Sequence, residues 1–166
     1  MSKVYLTLIV TLIFSFENNF NKFNISRIKY GGGGDWYADP SSLPNLLDYL
    51  NTNTMINAAN ENLNVKIGDT NFNKSNYLYL TGHGNIKFTE KEIALLRNHL
   101  LNGAFLHADD NYGMNKSFQN VVTNLFPEKQ FIEIPPSHDI FNCFYNFPNG
   151  PQPQELKAAT VVFKVR

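Results

Sequence analysis

The stretch "YLYLTGHGNIKFTEKEIALLRNHLLNGAFLHA", Tyr77 to Ala108, constrains the fold more than any other part of the chain. It begins with a β-prone run that is apolar nearly throughout and stops at glycine, the pattern of a strand buried on both faces. Thr89 and Glu92 follow at the S/T-x-x-E spacing, in which each side chain satisfies a backbone N–H of the other residue, and this predicts a helix over 89–102. Ile93, Leu96 and Leu100 mark one face of that helix, and Gly103 is suited to end it. A second β-prone run, Ala104 to Ala108, comes directly after. Strands joined through a helix of this length pair in parallel, because only such a crossover returns the chain to the end it left.

The rest of the chain repeats the alternation. "ISRIKY" reads as a first strand, and "SSLPNLLDYLNTNT" as a helix with Leu43, Leu46, Leu47 and Leu50 at helical spacing, Ser41 or Ser42 as N-cap, and Pro44 tolerated in the first turn. "NVKIG" is a brief strand. Phe118, Val121, Val122 and Leu125 form the apolar face of a further helix, closed by Pro127. "QFIEIP" reads as another strand, and "ATVVFKVR" as an edge strand. Strands alternating with helices of ten or more residues imply an α/β fold, a doubly wound and mainly parallel sheet flanked by helices, as a single domain over 25–166.

Residues 1–20 stand apart. "MSKVYLTLIVTLIFSF" has one lysine and then an apolar stretch too short to span a bilayer comfortably, which is the pattern of a secretory signal or an N-terminal anchor. The expectation is an exported, periplasmic or envelope-associated protein, with membrane contact only through this segment if it is retained. No small-x-small cleavage site follows it, and a buried first element is the bland alternative. The single cysteine, Cys143, forms no internal disulfide. Acidic and basic residues balance at 14 each, so no basic stripe exists for nucleic acid.

In open parallel sheets, ligands bind beyond the carboxyl ends of the strands. Four unusual segments lie at such ends: "GGGGDWY" (Gly31, Gly32, Gly33, Gly34, Asp35, Trp36, Tyr37), "GHGN" with Gly82 and His83, "DDNYG" with Asp109 and Asp110, and "PPSHDIF" with His138. Each has a bland reading. The four glycines could be a tether, His83 could fill space, the aspartates could cap the following helix, and His138 could be part of a rigid turn. The glycine run does not satisfy G-x-G-x-x-G, because Trp36 occupies the last required position, and no Walker lysine follows. Its successive backbone N–H groups could still cradle an anion. Of Asp109 and Asp110, one is expected to face the cleft and the other to cap. His99 reads as solvent-facing on its helix, and His107 as core.

As chemistry, His83 with an aspartate makes an acid–base pair, and Trp36 and Tyr37 offer flat surfaces for a sugar ring. No H-E-x-x-H or C-x-x-C motif supports a metal, no cofactor motif is present, and no G-x-S-x-G elbow supplies a nucleophile. Catalysis is therefore assigned to His83, Asp109 and Asp110, and ligand binding to Gly31 through Tyr37, Gly82 and His138. Any metal or cofactor stays unidentified.

Taken together, "RIKYGGGGDWY", "YLYLTGHG", "FTEKEIALLRNHLLNGAFLHADD" and "PPSHDIFNCFY" resemble the domain-of-unknown-function 4159 family. That resemblance spans roughly 27–147. It implies a bacterial, often exported protein with a flavodoxin-like, class I glutamine amidotransferase-like three-layer sandwich, akin to trehalose-utilisation-like proteins. The amidotransferase cysteine has no counterpart at a strand–helix elbow here, and the tail beyond 148 departs from the family pattern. The resulting expectation is an exported domain with a cleft for a carbohydrate or other polar small molecule. The alternatives are a hydrolase or isomerase using His and Asp, with or without a metal, and a non-catalytic accessory domain of an envelope complex. The sequence does not determine the oligomeric state.

Overall fold

The first strand, β1 (Ile25–Ile28), is buried along its whole length, which places it inside the sheet. The structure is a computed structural model that describes residues 22–132, 134–135 and 137–145, and the backbone of 160–163. The leader expected over 1–20 lies outside the described residues. After β1 come α1 (Ser42–Asn53), β2 (Leu63–Val65), β3 (Tyr77–His83), α2 (Glu90–Leu101), β4 (Phe105–Tyr112), α3 (Asn115–Leu125) and β5 (Thr160–Phe163). The sheet order is β2-β1-β3-β4-β5. The first four strands are parallel, and β5 runs antiparallel to β4.

This order is that of flavodoxin-like doubly wound sheets, and the core is split accordingly into two layers. Alternation along β3 sends Leu78 and Leu80 to one face, where they meet Leu96 and Leu100 of α2 and Phe118, Val121, Val122 and Leu125 of α3. Tyr77 and Tyr79 point to the other face, where Leu43 and Leu47 of α1 pack with Ile25 and Ala58. The expected α/β sandwich is thus observed. The capping box at Thr89 and Glu92 is present in full, with Thr89 N–H donating to the Glu92 carboxylate at 2.7 Å.

Three expectations need correction. "QFIEIP" is not a strand at its described residues, and Ile132 is 86% exposed; Glu133 lies outside the description. The free edge of β4 pairs instead with β5, Leu106 opposite Phe163 and Asp109 opposite Thr160, and one edge holds one partner. The run "AFLHA" does not end at Ala108, since β4 continues through both aspartates to Tyr112. His99 is buried, with Nε2 3.0 Å from the Ser75 carbonyl and its ring 5.0 Å from that of Phe72. Positions 96, 99 and 100 share one helical face, so His99 belongs to the buried stripe.

Among the described residues, no helix is long and apolar enough to cross a membrane.

Candidate functional site

The chain leaves β1 toward β2 on one side, while β3 lies on the other. In doubly wound sheets such a reversal of winding is where ligands bind, beyond the carboxyl ends of the two strands. Tyr30 anchors the loop after β1, its ring in the core and its hydroxyl donating to the Thr81 carbonyl at 3.0 Å. From there the glycine run lies along the loop after β3: Lys87 N–H donates to the Gly31 carbonyl at 2.7 Å, and Gly34 N–H to the Asn85 carbonyl at 3.2 Å. A β-carbon on Gly34 would stand 2.7 Å from the His83 carbonyl oxygen, so only glycine permits this approach. The tether reading of the glycines is thereby excluded.

The approach delivers Asp35 to His83. The Asp35 carboxylate accepts from the main-chain N–H of His83 and, at 3.0 Å, from its ring Nδ1. Gly82 makes room for this contact: a β-carbon there would run into the Tyr30 hydroxyl and stand 2.9 Å from the carboxylate, at a backbone φ of +137°. The main-chain N–H of His83 is the largest cause holding the Asp35 carboxyl below the usual aspartate range, with the ring bond adding to it against some desolvation. A carboxylate only accepts, so Nδ1 carries a proton, and in the neutral form of the ring this leaves Nε2 as the acceptor. The His83 side chain is 54% exposed.

Trp36 packs half-buried against the core, with the Lys29 ammonium 5.3 Å from its ring centre. Tyr37 stands edge-on to Trp36 and is largely exposed. Lys29 escaped the sequence reading because nothing local distinguishes it from any other strand-end lysine. Tyr30 was also missed, although its place directly before the glycines was a signal.

The two aspartates of β4 go to opposite faces, as neighbours in a strand must. Asp110 is buried and accepts from the N–H groups of Met114 and Asn115 at 2.9 and 2.8 Å, which caps α3 from within the strand. Asp109 points to the α1 side, where it accepts from the Tyr79 hydroxyl at 2.9 Å. On the same side, the Tyr77 hydroxyl lies 2.9 Å from Nδ1 of His107. Burial raises the Tyr79 phenol above its ordinary value and lowers His107, with Asp109 opposing the latter shift. Arg27, also buried here, donates to the Ala38 and Asp39 carbonyls and to Ser42 Oγ, tying the loop after β1 to the start of α1.

Hydrogen bonding thus joins Asp35 to His83, with Gly34 and Gly82 in close packing around them, while Asp109 and Asp110 bond to other partners. His138 is exposed and its Nδ1 accepts from the Ile140 N–H at 3.1 Å, within its own turn. Among the described residues, no three His, Cys, Asp or Glu side chains gather as the ligands of a metal.

A family model described as Domain of unknown function (DUF4159) matches residues 24–162, so the expected departure of the tail beyond 148 is corrected as far as 162. No curated protein matches the chain.

Proposed function

Starting from the premise that the chain belongs to the DUF4159 family, whose description states no activity, we propose that it is an exported domain that binds a polar small molecule of the carbohydrate class. The ligand lies in the crevice at the carboxyl ends of β1 and β3. The observation that carries this reading is the Asp35–His83 pair, a charged, partly exposed couple assembled across the winding reversal by glycines that tolerate no side chain. Tyr37, two residues after Asp35 in the chain, supplies an exposed ring, and carboxylate, imidazole and aromatic ring are the groups that recognise hydroxyls and sugar faces. Export rests on the apolar leader, and balanced charge favours a small molecule over nucleic acid. Kinship with amidotransferase-like sandwiches is the fold-level part of the reading. It draws on the strand order and extends to no glutaminase chemistry, since Cys143 sits beyond α3 and away from any strand–helix elbow.

The same pair favours a second reading, acid–base catalysis. With Nδ1 held by a carboxylate, Nε2 takes a proton from a bound hydroxyl and returns it, and Asp35 stabilises the imidazolium that forms meanwhile. That is the minimum a hydrolase or isomerase needs.

The test is a thermal-shift and calorimetric screen of the full chain against neutral sugars, sugar acids and sugar phosphates. A ligand at a hundred times its dissociation constant adds about 2.7 kcal/mol of stability, and His83→Asn should weaken that ligand. A flat response across the panel would refute the binding reading. Turnover of a bound ligand by wild type and not by His83→Asn would select the catalytic one.

A further inference from the structure

The glycine loop carries features that the Asp35–His83 pair does not use. Two lysines flank it: Lys29 lies two residues before Gly31, with its ammonium over Trp36, and Lys87 pairs through its backbone with Gly31. Among the described residues neither lysine has a carboxylate partner, the carboxylate contacts of basic side chains being His83 with Asp35 and Arg97 with Glu128. The lysine charges are therefore not consumed by the fold.

Between them, the N–H groups of Gly32 and Gly33 donate no hydrogen bond among the described residues, whereas Gly34 N–H is taken by Asn85. Gly32 and Gly33 are exposed and hold positive φ. The space where Gly33 would carry a β-carbon is open to 4 Å, so a ligand atom can approach the main chain there. Free peptide donors in a glycine loop, flanked by cations without carboxylate partners, form a setting that attracts anions.

We propose that this loop binds the acidic group of the ligand, a phosphate or a carboxylate, with Gly32 and Gly33 N–H as peptide donors and Lys29 and Lys87 as counter-charges. The inference rests on the ligand-binding reading and narrows it: the molecule is an anionic polar compound. Its acidic end lies on the glycine loop, and its hydroxyl-bearing end reaches His83, which follows in space because Asp35 directly continues the loop.

The experiment is calorimetric titration of the full chain at low and high salt with glucose, glucose 6-phosphate, glucuronate and inorganic phosphate. Wild type is compared with the Lys29→Gln/Lys87→Gln double variant and with Lys116→Gln/Lys129→Gln, which removes the same charge from exposed positions at and just beyond α3. At least one anion should bind ten-fold or more tighter than glucose. The Lys29/Lys87 variant should lose that advantage while melting within a few degrees of wild type, and the Lys116/Lys129 variant should keep it. Glucose 6-phosphate against glucuronate decides which acidic group is held. Glucose binding as tightly as the anions, undiminished anion affinity in the Lys29/Lys87 variant, or equal loss in both variants overturns the anionic site and leaves the ligand-binding reading standing. No binding by any probe overturns both.

Discussion

Asp35 accepts from the ring Nδ1 and from the main-chain N–H of His83 with one carboxylate, so a residue of the β1 loop fixes both the place and the tautomer of an imidazole at the end of β3. The bonds go to the charged form and hold the Asp35 carboxyl below its ordinary value. A lowered folded-state value means that the stabilisation is fully present above the unfolded value of about 3.9 and is lost as the pH falls through the folded one. Asp35→Asn should therefore melt below wild type at pH 7, with the gap closing as the pH drops below about 4. A gap that stays constant down to pH 2 would mean that the charge of Asp35 contributes nothing.

Gly82 and Gly33 both hold positive φ, but only Gly82 is crowded by neighbours. Gly82→Ala combines a strained backbone with a clash against Tyr30 and Asp35 and should cost about 2 kcal/mol or more. Gly33→Ala meets open space and should cost only the backbone strain, about 1 kcal/mol. Urea denaturation of the two variants gives the comparison, and equal costs would contradict the crowding of Gly82 by Tyr30 and Asp35.

Asp110 bonds two N–H groups at the start of α3, a position where carboxylates are favoured. Asp110→Ala should cost about 1–2 kcal/mol in thermal or chemical unfolding and leave ligand affinity at the rim unchanged at a temperature where the variant is folded. Loss of affinity with no loss of stability would move Asp110 from the cap to the site.

Burial raises the phenols of Tyr30 and Tyr77 to about 12, with Asp35 and Asp110 adding to the effect at Tyr30. The folded values lie above the unfolded value of about 10, so the stability these groups contribute is complete below pH 10 and disappears as the pH rises toward 12. Ultraviolet titration should show phenolate appearing late and together with unfolding. Tyr30→Phe/Tyr77→Phe should lessen the alkaline loss of stability, and an unaltered alkaline profile in that variant would count against these two residues as its source.

Much of the scaffold was legible because it depends on short-range pattern. The Thr89 and Glu92 box, the 93–96–100 stripe and the apolar run at Tyr77 are local features with local causes, and each appears where the sequence places it. His99 shows that the same pattern was under-read, since its spacing from Leu96 already assigned it to the buried face. "QFIEIP" fails for another reason. Its alternation suits a strand, but strand formation also needs a vacant edge, and β5 holds the edge of β4.

The site was legible only as a neighbourhood. Alternation of strands and helices, together with the rule that such strands pair in parallel, was enough to put the glycine loop and His83 at the same end of a sheet. It could not say that β4 runs on through Asp109 and Asp110. That extension fixes which face each side chain takes, committing Asp110 to α3 and Asp109 to Tyr79. Nor could it say that Asp35, 48 residues from His83, would be its partner. The sequence by itself determined the order of the elements from β1 to α3, the parallel pairing of their strands and the end at which unusual residues collect, because these follow from periodicity and chain connectivity. Tertiary structure alone decided the pairing, because a hydrogen bond depends on ångström-scale approach between loops, and that approach is set by packing around Tyr30, Gly34 and Gly82.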